Sequence, residues 1–120
     1  MTRILAVDDS PSMREMVRIA LLAAGFDVKA AVDGQDALAQ ARASDFDLVL
    51  SDVNMPGMDG IMLIKALRAE AAYRLTPILM LTTESSPDKK RAGREAGATG
   101  WIVKPFDPKQ LVATMQRVLR

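Results

Sequence analysis

Short apolar runs at residues 3–7, 28–32, 48–51, 77–81 and 100–103 alternate with stretches of helical periodicity, and that alternation is the tightest constraint on the fold. A strand always followed by a helix has no hairpin partner beside it, so its neighbours run parallel and helices cover both faces of one sheet. Leu48, Val49 and Leu50 form a continuous apolar run rather than an alternating one, as suits a strand buried on both sides. The expectation is a doubly wound α/β fold of five βα units, (βα)5, with strand order 2-1-3-4-5, strand one inside the sheet and strand three beside it.

Helix signals punctuate the runs. Ser10 followed by Pro11 reads as a cap and first-turn proline, and Gly25 as the stop. Met13, Met16, Val17, Ala20, Leu21 and Ala24 give that helix its apolar stripe. A second helix is expected over residues 34–43. After strand three the loop VNMPGMDG, with Pro56, Gly57 and Gly60, delays the third helix to residues 61–72. Ser86 with Pro87 opens a fourth that ends near Gly97, and Asp107 with Pro108 opens a fifth over residues 109–119. Three helices thus begin just beyond strand ends, at one edge of the sheet.

Composition narrows the chemistry. The 120 residues fit one domain, 1–120, with no output module expected. Sixteen basic against 15 acidic residues, with no basic block, give little electrostatic basis for nucleic-acid binding. The chain has no Cys and no His, which removes thiolate metal sites, thiol catalysis and imidazole acid/base chemistry. The start MTRILAVDDS lacks a signal-peptide core, and no stretch approaches the ~18 apolar residues of a membrane span. A soluble, cytoplasmic monomer without membrane insertion is expected.

The ends of the apolar runs carry the chemistry. Asp8 and Asp9 follow the first, Asp52 the third and Lys104 the fifth. In parallel neighbours these side chains converge at the carboxyl edge, where open α/β sheets bind ligands. Crowded carboxylates are relieved by protonation or a cation, and a hard divalent ion such as Mg²⁺ prefers oxygen donors. With Lys104 alongside, the site suits a metal and a phosphoryl group meeting on a carboxylate.

Taken with these features, the segments DVNMPGMDG after strand three, LTT after strand four and KPF after strand five resemble the receiver domain of two-component response regulators, of the flavodoxin-like, CheY-like fold, over essentially the whole chain. The single-domain chemotaxis members are the most similar. The resemblance implies that Asp52 is the phosphoacceptor for a phosphohistidine on a sensor histidine kinase or His phosphotransfer domain. It further implies that Asp8, Asp9, Asp52 and the Asn54 backbone carbonyl hold Mg²⁺, with Mn²⁺ as a substitute. Asp9 is then the direct ligand and Asp8 acts mostly through water. Lys104 would pair with the phosphoryl oxygens, and Pro105 would follow a cis peptide bond.

Thr82 is the implied hydroxyl donor to the phosphoryl group, and Trp101 the aromatic that shifts from exposed to buried when Thr82 moves. Tyr or Phe is more usual at position 101, so the larger indole either buries fully or needs a remodelled pocket. Asn54 and Glu84 flank the path of the water that hydrolyses the acyl phosphate, implying self-dephosphorylation within seconds to a few minutes. Lys89, Lys90, Arg91 and Arg94 mark a face for an acidic partner, because positive charge in the first turns of a helix opposes its dipole.

The implied function is that of a stand-alone response regulator in chemotaxis or motility, whose last two helices and fifth strand contact a phosphorylation-dependent target such as a flagellar motor switch. It catalyses its own phosphorylation and dephosphorylation and is no conventional turnover enzyme. Alternatives within the family are a phosphorelay intermediate or a phosphate sink for a shared kinase. An Asp-nucleophile phosphatase would need a second Asp two residues on, where this chain has Asn54. A flavin binder would need a glycine-rich phosphate loop, where this chain has DDSPSM.

Overall fold

The computed structural model describes residues 2–82, 87–104 and 106–119. Its elements are β1 (Arg3–Val7), α1 (Pro11–Ala23), β2 (Asp27–Ala31), α2 (Gly34–Ala43), β3 (Leu48–Asp52), α3 (Gly60–Arg68), β4 (Ile78–Thr82), α4 (Pro87–Ala96), β5 (Gly100–Val103) and α5 (Pro108–Val118). A 3₁₀ turn at Ala71–Tyr73 lies between α3 and β4. All strand pairs are parallel and the order is β2-β1-β3-β4-β5, as the alternation predicts.

Strand alternation divides the core into two layers. Ile4, Ala6, Leu48, Leu50, Leu79 and Leu81 face Val17 and Leu21 of α1 and Leu111 and Met115 of α5. Leu5, Val7, Val49, Ile78 and Met80 face Ala37 and Ala41 of α2, Leu63, Ile64 and Leu67 of α3, and Ala96 of α4. Burial of both faces explains why β3 and β4 read as unbroken apolar runs. Predicted caps are in place: the Ser10 hydroxyl accepts from the Met13 N–H, and the Asp107 carboxylate from the Lys109 N–H at 2.9 Å. Asp33 and Asp59 cap α2 and α3 likewise. The expected cap Ser86 lies outside the described residues.

Several boundaries differ for physical reasons. β2 stops at Ala31, because the Val32 N–H leaves the ladder to donate to the Asp36 carboxylate at 3.0 Å and its side chain is 49% exposed. α3 ends at Arg68 instead of continuing to residue 72. There the guanidinium donates to the carbonyls of Gly97, Tyr73 and Thr76, and the Tyr73 hydroxyl lies 2.6 Å from the carbonyl oxygens of both Ala41 and Ser44, which share its one proton. Met16, expected in the α1 stripe, is 38% exposed, so the buried seam is the narrower Val17–Leu21 pair.

Candidate functional site

The carboxyl ends of β1, β3 and β5 are brought together as the sequence predicts. β1 pairs with β3 and β3 with β4, so Asp8, one residue past β1, and Asp52, the last residue of β3, reach the same edge. Carboxylate oxygens of Asp8, Asp9 and Asp52 all lie within 4.8 Å of one another. Two oxygens on opposite sides of a Mg²⁺ ion are roughly 4 Å apart at its usual bond lengths, so this donor set fits a hard divalent cation with little adjustment. Asp8 and Asp52 are buried, whereas Asp9 is exposed and leaves one side open to water.

Lys104 supplies the counter-charge. Its Nζ is 3.2 Å from Asp8 Oδ2 and 3.4 Å from Asp52 Oδ1, and its side chain is only 11% exposed. The backbone aims it: the Lys104 N–H donates to the Thr82 carbonyl at 2.7 Å, continuing the β4–β5 ladder one step past β5. Burial pushes the Asp52 carboxyl above its ordinary value, Lys104 opposes that, and neighbouring Asp8 adds to it. Desolvation therefore outweighs the ammonium, and additional positive charge would favour the ionised form.

Smaller contacts set the acids in place. The Ser10 N–H donates to Asp8 Oδ1 at 2.9 Å, and Arg14 Nη1 donates to the Asp8 carbonyl at 2.8 Å. The Asn54 backbone weakly favours the ionised Asp52 carboxylate, the smallest of the influences on it, while the Asn54 side chain is exposed. Gly60 opens α3 directly against the backbone of the acidic strand. A Cβ there would sit 2.3 Å from the Asp52 carbonyl oxygen, so the close approach requires glycine.

Thr82 is buried at the end of β4, and Trp101 is half-buried in β5. Between them is a narrow cavity of about 10 Å³, room for about one water, lined also by Val53, Ile61, Met80, Lys89 and Gly93. Lys90 and Arg94, one helical turn apart, flank a groove floored by Thr99, Gly100 and Trp101, whereas Arg91 is exposed outside it. Lys89 lines the cavity, and Lys90 and Arg94 share the groove. Glu84 and Pro105 lie outside the described residues.

Residues 4–116 match the response regulator receiver domain family. The chain belongs to that family. The receiver is similar in structure to the chemotaxis protein CheY4 of Vibrio cholerae, at 55% identity and a TM-score of 0.96 with 98% of each chain covered. It is also 44% identical to the DNA-binding response regulator MtrA of Mycolicibacterium smegmatis, over 98% of this chain and 50% of MtrA. The receiver thus spans about half the length of the curated relatives it matches. A third likeness is to the receiver domain of the sensor histidine kinase PA1611 from Pseudomonas aeruginosa, at 28% identity and a TM-score of 0.92 with 98% and 97% of the two chains covered. That structure carries a magnesium ion coordinated in its active site cleft. Among the described residues, no helix of the receiver is long and apolar enough to cross a membrane.

Sequence reasoning did not find Arg14, Gly60 or Gly93. Arg14 acts on a backbone carbonyl, which leaves no pattern in the side chains. Gly60 stood out only as a helix breaker; its contact with the Asp52 carbonyl needs the folded loop.

Proposed function

We propose that this receiver accepts a phosphoryl group on Asp52 from a phosphohistidine of a histidine kinase or phosphotransfer protein, and that the phosphorylated form controls a protein partner in chemotaxis. The observation that carries the proposal is the meeting of Asp8, Asp9 and Asp52 with the Lys104 ammonium at one sheet edge. A carboxylate is nucleophilic at neutral pH without a general base, which suits a chain with no His. One Asp52 oxygen attacks phosphorus in line. The O–P bond forms as the N–P bond breaks, and the departing electron pair stays on the imidazole nitrogen.

Asp8, Asp9, Asp52 and the Asn54 carbonyl would hold Mg²⁺, which supplies charge neutralisation between carboxylate and phosphoryl oxygens. The magnesium seen in the PA1611 receiver supports that assignment. Lys104 starts paired with Asp52 and Asp8, and turns to the phosphoryl oxygens once Asp52 is phosphorylated. Thr82, buried beside the site, then donates its hydroxyl to the phosphoryl group, and its movement changes the cavity wall it shares with Trp101. The groove at Lys90, Arg94 and Trp101 would present the altered surface to the target.

Similarity to CheY4 over nearly the full length of both chains supports the chemotaxis assignment. The DNA-binding relatives match at lower identity, 44%. Intact-mass measurement after incubation with acetyl phosphate and Mg²⁺ tests the chemistry. One phosphoryl group should be gained, and none with Asp52→Asn or with chelator; undiminished gain in Asp52→Asn would refute the site. Capture with beryllofluoride and Mg²⁺, compared with Asp52→Ala, tests the output. A motility protein bound only in the activated state is expected, and a transcription complex would overturn the chemotaxis reading.

A further inference from the structure

We infer that Gly93 is the positioning residue for Trp101: it forms the recess in α4 that lets an indole, rather than a smaller ring, lie inward across the helix and set the height of α4 over the sheet. The recess itself is a matter of geometry alone, and its consequence for signalling rests on the phosphorylation reading.

An ideal Cβ at Gly93 would lie 2.6 Å from Trp101 Cη2 and 3.2 Å from both Cζ2 and Cζ3. The first distance is a hard overlap, and the ring is a rigid body on two torsions. Backbone conformation does not demand glycine here, because the positive-φ glycines among the described residues are Gly25, Gly57 and Gly97. Helix propensity argues against it as well, since glycine in a helix interior is less favourable than alanine. What remains is space. Gly93 is buried in the second turn of α4, where the indole edge rests on its bare backbone.

The ring has no retreat inward. Val53, Ile61, Met80 and Thr82 line the other walls of a cavity with room for about one water. A methyl group at position 93 must therefore turn the ring outward or lift α4. Toward the sheet the helix offers few buried residues: in the sequence PDKKRAGREA they are Gly93 and Ala96, and its other packing is against α3. The indole laid across Gly93 is consequently a principal seam between α4 and the sheet. Any event that turns Trp101 then changes what α4 rests on, which links the Thr82 cavity to the groove beside Lys90 and Arg94.

The decisive experiment is a double-mutant cycle read by urea unfolding of the full chain. Gly93→Ala should lower the midpoint when Trp101 is present and raise it in a Trp101→Ala background, where the overlap is gone and alanine's helix propensity is left. The same sign in both backgrounds would overturn the inference. In folded Gly93→Ala the Trp101 emission should shift to the red and α4 amides should exchange faster. Trp101→Phe added to Gly93→Ala should return that exchange to the parent rate; unchanged emission and exchange in Gly93→Ala would again overturn it. Acetyl phosphate labelling of the parent, read separately, tests the phosphorylation reading. Failure of the parent itself to label would refute the phosphorylation reading and leave the sign reversal as an independent test of the recess.

Discussion

Asp52→Asn should make the metal-free protein more stable at neutral pH, by an amount that the site geometry allows to be worked out. At an effective dielectric of about 20, the Asp52–Lys104 pair at 3.4 Å is worth ~5 kcal/mol of attraction. Asp8, buried and within 4.8 Å, returns ~3.5 kcal/mol of repulsion. Solvent-facing Asp9 at a similar distance returns ~1 kcal/mol at the dielectric of water. The pair terms nearly cancel, so the cost of burying the Asp52 charge decides the sign, about 1–3 kcal/mol for an incompletely satisfied group. That agrees with the direction of the Asp52 pKa, raised chiefly by burial from the ordinary 3.8. A carboxyl whose folded pKa is raised binds its proton more tightly folded than unfolded. Its penalty is therefore absent below about pH 3.8, grows as pH rises through the folded pKa, and is constant above it. Urea unfolding of parent and Asp52→Asn from pH 3.5 to 7.5 without metal should show the variant gaining ~1–3 kcal/mol at neutral pH and much less at the acid end. Adding Mg²⁺ should stabilise the parent and leave the variant nearly unchanged. A variant less stable at every pH, or a gain that does not grow with pH, would refute the reasoning.

Lys104→Met removes the partner of two buried carboxylates and should destabilise the metal-free protein by about 3–5 kcal/mol. The same change should tighten Mg²⁺ binding in a calorimetric titration, because a competing cation is gone, while slowing acetyl phosphate labelling. Gly60→Ala drives a Cβ to 2.3 Å from the Asp52 carbonyl oxygen and should lose about 1–3 kcal/mol in thermal unfolding, with weakened metal binding because the acidic strand end must move. Arg68→Lys replaces a planar fork with a point charge that cannot reach Gly97, Tyr73 and Thr76 together, and should cost about 1–3 kcal/mol with labelling unchanged.

The acidic site was legible because its residues end strands. Once β1, β3 and β5 are recognised as parallel, topology alone brings Asp8, Asp52 and Lys104 to one edge. The Ser10–Pro11 and Asp107–Pro108 starts were legible for a different reason: a cap acts on N–H groups two or three residues away. The end of α3 was not, because what halts it is a guanidinium bonded to Gly97, 29 residues away, and a tyrosine hydroxyl bonded to Ala41 and Ser44. Residues 69–72 have ordinary helical composition and carry no sign of either. Gly93 was invisible for the same reason, since its partner ring belongs to another element and a helical glycine in sequence reads only as a weak spot.

Site and indole lie on a backbone that has little freedom to transmit anything. β3 and β4 are in register at Asp52 and Leu81, β4 and β5 at Met80 and Trp101, and the Val53 N–H on Leu81 O and Lys104 N–H on Thr82 O extend both ladders past the strand ends. Shifting any of these strands would break several hydrogen bonds, each leaving a buried polar group unpaired at about 1–3 kcal/mol. Rotating Thr82 or the indole breaks none of the ladder. The cheapest response to new charge at Asp52 is therefore a change in which side chains fill the cavity between Thr82 and Trp101, with the sheet held fixed. With room for about one water, that cavity admits the ring only as far as Thr82 vacates it, so under the proposed phosphorylation the two would move together.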